Sequence, residues 1–294
     1  MRTRSIGDVE VGAVGLGCME LSIEGHPDEQ QAVATVHAAL DAGVRLLDTA
    51  DAYCLGPDDV GANERLVARA LASWGGDRDS VLVATKGGHT RPGGGGWGLD
   101  GSPEHLRAAC EASLRALGVE AIGLYQHHRP DPQVPYAETL GALAELRDEG
   151  LVRLVGISNA SVAQVDEAVT ALGGTGEAGL ASVQNEHSPD FRSSLAELQH
   201  CERLGVAFLP WSPFGGRREA GGLAERHDTF AGVAQEVRAT VHQVVLAWHL
   251  AQADVVVPIP GCSRPATATA SAGAVDVELS AEQVARLDGS LTAA

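Results

Sequence analysis

Eight short apolar runs alternate with helical periods over 294 residues, and no linker-like stretch separates them. That alternation predicts an α/β fold: one (β/α)8 TIM barrel over residues 1–294, preceded by a short β-hairpin. A second observation is that nearly every run ends in a polar, reaction-capable side chain. A third is that no Gly-x-Gly-x-x-Gly turn opens a helix, since Gly15-Leu-Gly-Cys-Met-Glu20 lacks the third glycine. A doubly wound sheet with the usual dinucleotide fingerprint is therefore the weaker alternative.

From Ser5 to Met19, Val9, Val11 and Val14 alternate before Gly15-Leu-Gly-Cys18, which predicts a hairpin and then the first buried strand. After Pro27-Asp28, residues Ala32, Val33, Val36, Ala39 and Leu40 share one helical face, and Asp41-Ala-Gly43 ends the helix. Strand Val44–Leu47 follows. A helix near Asn63–Trp74 leads to strand Val81–Ala84. Ser102-Pro-Glu104 opens a helix to Leu117, with proline at the first helical position. Strand Ala121–Gln126, helix Tyr136–Glu149 and strand Val152–Gly156 come next. Helix Ser161–Leu172, strand Leu180–Gln184, helix Arg192–Leu204 and strand Val206–Trp211 continue the pattern. Helices near Thr229–Arg238 and Val241–Ala251 precede strand Val255–Ile259, and helix Ala281–Leu291 follows it. Gly93-Gly-Gly-Gly-Trp-Gly98 lacks the Gly-Lys-Ser/Thr ending of a phosphate loop and reads as a flexible loop at the barrel mouth.

A net charge of −18, spread along helix faces, disfavours binding to nucleic acid or an anionic membrane. No run reaches the roughly 20 apolar residues that a span needs, and no apolar leader opens the chain, so a cytoplasmic protein is expected. Five widely spaced cysteines without a Cys-x-x-Cys pair predict reduced thiols, no disulfide framework and no metal site.

Lys86 is the only lysine in the chain, against twenty arginines. It stands where strand Val81–Ala84 runs into Gly87-Gly88, the end at which such barrels keep their catalytic groups. A lysine offers a compact cation where a planar guanidinium does not substitute. The other strand ends supply Asp48 with Tyr53, His127 with His128, Ser158 with Asn159, Gln184 with Asn185, and Trp211 with Ser212. A phenol ordinarily titrates near ~10. A neighbouring ammonium lowers that value, a carboxylate holds the ammonium charged, and a histidine can orient a carbonyl or relay a proton. Together these make a general acid for a developing alkoxide. Taken singly, Asp48 also reads as a helix cap, Tyr53 as a loop aromatic, and one of the two histidines as a core residue.

In order along the chain, Asp48-Thr-Ala-Asp-Ala-Tyr53, Ala84-Thr-Lys-Gly-Gly88, Leu124-Tyr-Gln-His-His-Arg-Pro-Asp131 and Gly156-Ile-Ser-Asn159 resemble the aldo-keto reductases. So do Val183-Gln-Asn-Glu186, Trp211-Ser-Pro-Phe-Gly215 and Ile259-Pro-Gly-Cys-Ser-Arg264. The resemblance implies NADP(H) bound in extended form without a Rossmann domain, and a catalytic tetrad of Asp48, Tyr53, Lys86 and His128. His128 rather than His127 is implied because the family's histidine directly precedes Arg-Pro-Asp; His127 is expected to point elsewhere. Tyr53 is then the proton donor, tuned by Lys86 and Asp48, and His128 positions the substrate oxygen. By the same resemblance Ser158, Asn159 and Gln184 hold the carboxamide, and Trp211 stacks on the nicotinamide. Ser212, Pro213, Phe214, Gly215 and Gly216 lie along the pyrophosphate. Ile259, Gly261, Ser263 and Arg264 complete the set, the last two at the 2′-phosphate. Cys54 and Trp97 are expected to line the substrate pocket.

The chain departs from the family where Ala270 and Ser271 replace the common Glu-Asn at the adenine end, and where His187 replaces a frequent tyrosine. An open, permissive pocket for a small-molecule carbonyl substrate is expected. Two other functions compete with NADPH-dependent carbonyl reduction. One is a Schiff-base lyase or aldolase using Lys86. The other is a non-catalytic NADP-sensing subunit, a role the resemblance allows.

Overall fold

The computed structural model describes residues 2–291. The chain begins with an antiparallel hairpin, β1 (Thr3–Ile6) and β2 (Val9–Gly12), turning at Gly7 with φ 59°. There follow β3 (Leu16–Gly17), α1 (Glu29–Asp41), β4 (Leu46–Asp48), α2 (Ala62–Ser73) and β5 (Leu82–Gly87). A second small hairpin, β6 (His89–Thr90) with β7 (Gly98–Leu99), leads to α3 (Pro103–Leu117) and β8 (Ile122–His127). Next come α4 (Tyr136–Asp148), β9 (Val152–Ser158), α5 (Val162–Ala171), β10 (Leu180–Gln184), α6 (Leu195–Leu204) and β11 (Ala207–Phe208). Five helices close the described chain: α7 (Leu223–Arg226), α8 (Asp228–Val237), α9 (Val241–Gln252), α10 (Pro265–Ala272) and α11 (Ala281–Ser290).

The main sheet is parallel throughout, in the order β11-β10-β9-β8-β5-β4-β3. The eighth run, 255–259, closes the ring through parallel bridges Phe208↔Val256 and Gly17↔Gly261 rather than as a continuous strand. Pro258 and Pro260 explain this, because proline has no N–H to donate to a ladder. Their carbonyls still accept, from Gly15 N and Gly17 N at 3.0 Å each. The expected (β/α)8 barrel is thus present, with a seam of carbonyl-only contacts.

Successive strand residues face opposite ways. Leu46, Leu82, Ala84, Leu124, Leu154, Ala207 and Val257 turn inward and meet Ile6 and Val11 of the first hairpin, which plugs the lower end. Tyr125, Val155, Ile157 and Val183 turn outward against the surrounding helices. That period of two fixes the site, because the next inward positions above the apolar plug are Asp48, Lys86, Gln126 and Ser158.

The structure differs from the sequence expectation in three elements. The glycine-rich stretch at 93–98 is the tip of the β6–β7 hairpin, anchored by Arg91 Nη2 to Glu24 Oε1 at 2.5 Å, not a loose loop. Helix α10 was unexpected because its Ala-Thr alternation carries no helical stripe. It nonetheless packs Ala268 and Ala272 into the cluster beneath α1. Helix α7 is a single turn in what reads as a glycine-broken loop.

Candidate active site

Lys86, at the upper end of β5, has no exposed surface, yet all its ammonium protons find acceptors. Nζ donates to Asp48 Oδ1 at 2.5 Å, to the Thr49 carbonyl at 2.9 Å and to the Tyr53 hydroxyl at 3.2 Å. The other carboxylate oxygen of Asp48 accepts from Gln184 Nε2 at 2.7 Å and Gln126 Nε2 at 3.4 Å. A buried ion pair is tolerable when its remaining lone pairs and protons are satisfied in this way. Burial works against the charge on Lys86, but Asp48 and Tyr53 outweigh it and hold the ammonium above lysine's ordinary range.

Tyr53 lies on the loop after β4, which is tied down by Asp51 N to the Lys86 carbonyl and by Ser22 Oγ to the Tyr53 carbonyl at 2.7 Å. The phenol is only 7% exposed. Burial raises its pKa, Lys86 pulls it down, and the net direction is upward. Lys86 lowers it as expected, but the net direction differs from the expectation, because the cost of burying a phenolate exceeds the benefit of one shared ammonium. His128 packs edge-to-face on the Tyr53 ring at 5.5 Å between centroids and is 8% exposed. Burial first, and then Lys86, keep His128 neutral well below the usual histidine range.

His127 points outward toward Tyr136, at 5.8 Å between rings, while His128 faces the mouth. Trp97 reaches over from the β6–β7 hairpin to Tyr53 at 6.5 Å and stays 45% exposed, so it does border the open end. Cys54 does not. It is fully buried, with Sγ on the Gly56 carbonyl at 3.3 Å, because it follows Tyr53 and turns the opposite way.

On the far side, Ser158 Oγ donates to the Gln184 carbonyl at 2.6 Å, and Asn159, at φ 58°, donates to the His128 carbonyl at 2.9 Å. Gln184 offers its amide protons to Asp48, so its expected partner competes with the tetrad. Trp211 borders a cleft of about 290 Å³ with Asn159, Asn185, Glu186 and Phe191, its indole N–H buried without an acceptor. Ser212, Gly215 and Gly216 take positive φ of 48°, 81° and 94°, and a side chain added at Gly216 would meet nothing within 4 Å. Phe214 and Ile259 depart from expectation. Phe214 is buried among Leu223, Phe230 and Trp248, and Ile259 is buried in the barrel interior, so neither side chain faces a groove. Pro213 lies on the same turn as Ser212. Gly261 pairs with Gly17 at the seam, and the Ser263 carbonyl accepts from Gln31 Nε2 at 2.8 Å. Arg264 occupies the N-cap position of α10 without a side-chain cap hydrogen bond and makes no ion pair among the described residues. Ala270 and Ser271 both lie on α10, where Ala270 accepts from Gln243 through its carbonyl and Ser271 Oγ sits 3.7 Å from Cys262 Sγ.

Sequence reasoning missed several groups. Gln126 is an inward strand position that a pattern of apolar residues conceals. Asp51 and Glu64 are buried acids under the Tyr53 loop, both pushed up first by burial, with Thr85 Oγ1 donating to Glu64 at 2.6 Å. His89 sits beside His128, 4.2 Å between ring centroids. Its signal was its place three residues past Lys86. His187, expected as an aromatic substitute, is a core residue stacked on Trp248 at 5.6 Å. No described helix is long and apolar enough to cross a membrane.

Residues 13–292 match the family model described as Aldo/keto reductase family. An uncharacterised oxidoreductase of Schizosaccharomyces pombe is 33% identical over 97% of this chain and 89% of its own length. A probable aldo-keto reductase of Glycine max is 33% identical over 92% and 83%. Among solved structures, a glycerol dehydrogenase from Gluconobacter oxydans superposes with a TM-score of 0.83 at 26% identity, over 98% of this chain and 94% of that one. An aldo/keto reductase from Klebsiella pneumoniae, in complex with NADP and acetate, gives 0.78 at 27%, over 98% and 94%. By its sequence and its barrel alike, this chain belongs to the aldo/keto reductase family, oxidoreductases that act on carbonyl groups.

Proposed function

We propose that this protein reduces an aldehyde or ketone to the alcohol with NADPH, using Tyr53 as proton donor. The observation that carries this reading is the Lys86 ammonium placed between the Asp48 carboxylate and the Tyr53 hydroxyl, at 2.5 and 3.2 Å.

The residues fit a nicotinamide dinucleotide. The unpaired Trp211 indole N–H, the positive-φ turn at Gly215–Gly216, open at Gly216, and the exposed Arg264 at the start of α10 support this. Arg264 supplies a local positive charge that a protein of net charge −18 needs in order to hold a phosphate. Ser158, Asn159 and Trp211 would hold the nicotinamide end. When bound, the cofactor supplies the hydride to the carbonyl carbon.

The protein's own contribution is to the oxygen. Tyr53, kept protonated by burial, donates a hydrogen bond to the carbonyl oxygen and transfers its proton as charge develops there. His128 is neutral and its Nδ1 is sealed in the protein, so Nε2 is the edge that meets the same oxygen. Lys86 stabilises the phenolate left behind, and Asp48, steadied by Gln184 and Gln126, keeps Lys86 charged and aimed. Trp97 shields one side from water. Imine chemistry on Lys86 is disfavoured, because its protons are already engaged by three acceptors and Asp48 favours the ammonium over the free amine.

The test is Tyr53→Phe. Carbonyl reduction should fall about 10²- to 10⁴-fold, the usual contribution of a positioned acid. NADPH binding, followed by quenching of tryptophan fluorescence, should persist. Full turnover in that variant would overturn the proposal. NADPH binding by the unaltered protein with no oxidation on any aldehyde or ketone would favour the sensing role instead.

A further inference from the structure

The walls around Tyr53 offer more than donors. His89 stands on β6, half-buried, with its ring 4.2 Å from that of His128 and 5.4 Å from that of Trp97. Its Nδ1 lies 3.1 Å from the Gly98 carbonyl across the β6–β7 hairpin. A carbonyl only accepts, so Nδ1 carries the proton. Burial lowers the His89 pKa to about 4, with Arg129 and Lys86 adding to the effect, so the ring is neutral at physiological pH. One tautomer is therefore fixed, and Nε2 is left as a bare acceptor. The hairpin that fixes it is itself held, since Arg91 lies over Trp97 at 4.3 Å and pairs with Glu24.

Tyr53 offers a donor to a carbonyl oxygen, His128 stands beside it, and His89 next to both carries an acceptor with no protein partner. That arrangement matches a carbonyl whose neighbouring carbon bears a hydroxyl. We propose that His89 is a specificity-determining residue whose Nε2 accepts a hydrogen bond from a hydroxyl beside the reacting carbonyl, selecting α-hydroxycarbonyl substrates. A plain aldehyde leaves the His89 lone pair without a partner once water is excluded. Sites built to bond a substrate hydroxyl discriminate strongly against analogues that lack it. Trp97 contributes an aromatic face to the C–H side of the same substrate. The inference rests on the carbonyl-reductase reading above and narrows its substrate class.

The experiment compares lactaldehyde with propanal, three-carbon aldehydes that differ by one hydroxyl at carbon 2, with NADPH as reductant. The quantity read is the ratio of their kcat/KM values in the unaltered protein, in His89→Phe and in His89→Gln. Taking the change in this ratio between proteins cancels the intrinsic reactivity of each aldehyde and any loss of folded enzyme. Phenylalanine keeps the ring packing on His128 and Trp97 but removes the acceptor, so the ratio should fall by tenfold or more. Glutamine restores a side-chain acceptor and should retain more of the ratio than phenylalanine. A fall of less than tenfold in His89→Phe, or equal losses in the two variants, would overturn the inference and leave the reductase reading standing. Absence of NADPH oxidation with both aldehydes and with simple ketones would overturn the reductase reading and this inference with it.

Discussion

Lys86 shows why a single residue type survives where the chain otherwise uses arginine. Its three acceptors surround a point charge at the end of a strand, and a planar guanidinium cannot place its donors on Asp48, Thr49 and Tyr53 at once. Tyr53 and His128 then set the pH behaviour. Burial holds the phenol above its ordinary range, so its acid form persists through neutrality and is lost only at pH above the usual phenol value of about 10. His128 is neutral from well below the usual histidine range upward, so no loss on the acid side of neutrality arises from it. Carbonyl reduction should therefore be flat from about pH 6.5 to 9 and decline only at pH above about 10, whereas alcohol oxidation, which needs the phenolate, should rise from about pH 6.5 to 9. Profiles of kcat/KM in both directions check this; a reduction midpoint near pH 7 to 8 would contradict it. At this scale the sequence was informative because strand ends converge. Asp48, Tyr53, Lys86 and the His127–His128 pair could be grouped from position alone, and the choice of His128 came from the family resemblance. Cys54 and Phe214 could not be placed correctly, because whether a loop side chain turns in or out depends on local dihedrals that no periodicity reports.

Among the elements, β10, α9 and the loop between β10 and α6 enclose a second group of histidines. His187 stacks on Trp248, and His249 directs Nδ1 at the Val245 carbonyl and Nε2 at that of His187, at 2.8 and 3.0 Å. Burial lowers His187 to about 3 and His249 to about 4, in the latter outweighing the two carbonyls, which favour the proton. An unfolded chain takes up protons at these rings as pH falls through about 6.5, while the folded chain does not until far lower. Their contribution to stability is thus fully present above about pH 6.5 and is lost as pH falls toward 4, by up to about 1.4 kcal/mol per pH unit for each ring. The melting temperature should drop across that window, and His187→Phe, which keeps an aromatic on Trp248, should make the drop shallower. Calorimetry at several pH values measures both slopes. Element order was readable from hydrophobic period except where the signal is weak. Helix α10 is built of alanine and threonine, and the 255–259 run is interrupted by prolines that accept but do not donate.

Over the whole molecule, the charge balance and the Arg264 position act together. A surface of net charge −18 repels a polyanion, so the proposed binding of the NADPH 2′-phosphate would depend on few cations. Arg264→Ala should reduce the preference for NADPH over NADH by about tenfold or more, as expected for losing a charge-assisted hydrogen bond. Added salt should weaken NADPH binding to the unaltered protein more than to the variant. Fluorescence titration with both nucleotides at two ionic strengths measures this, and an unchanged preference would place the phosphate elsewhere. The barrel as a whole was legible because its repeat is regular. The aromatic box of Tyr53, Trp97, His89 and His128 was only half legible, since a hairpin folded over the mouth joins residues that no repeat relates.

The isolation of Lys86 also gives this chain an unusual chemical handle. It is the only side-chain amine, and no part of it reaches the surface. A reagent that acylates amines therefore finds no reactive lysine on the folded barrel, and modification there must wait for the strands around β5 to part. The rate at which Lys86 is acylated is accordingly a clock for opening of the barrel at its reaction centre. A ligand seated over Tyr53 should slow that clock in proportion to how firmly it holds the mouth closed.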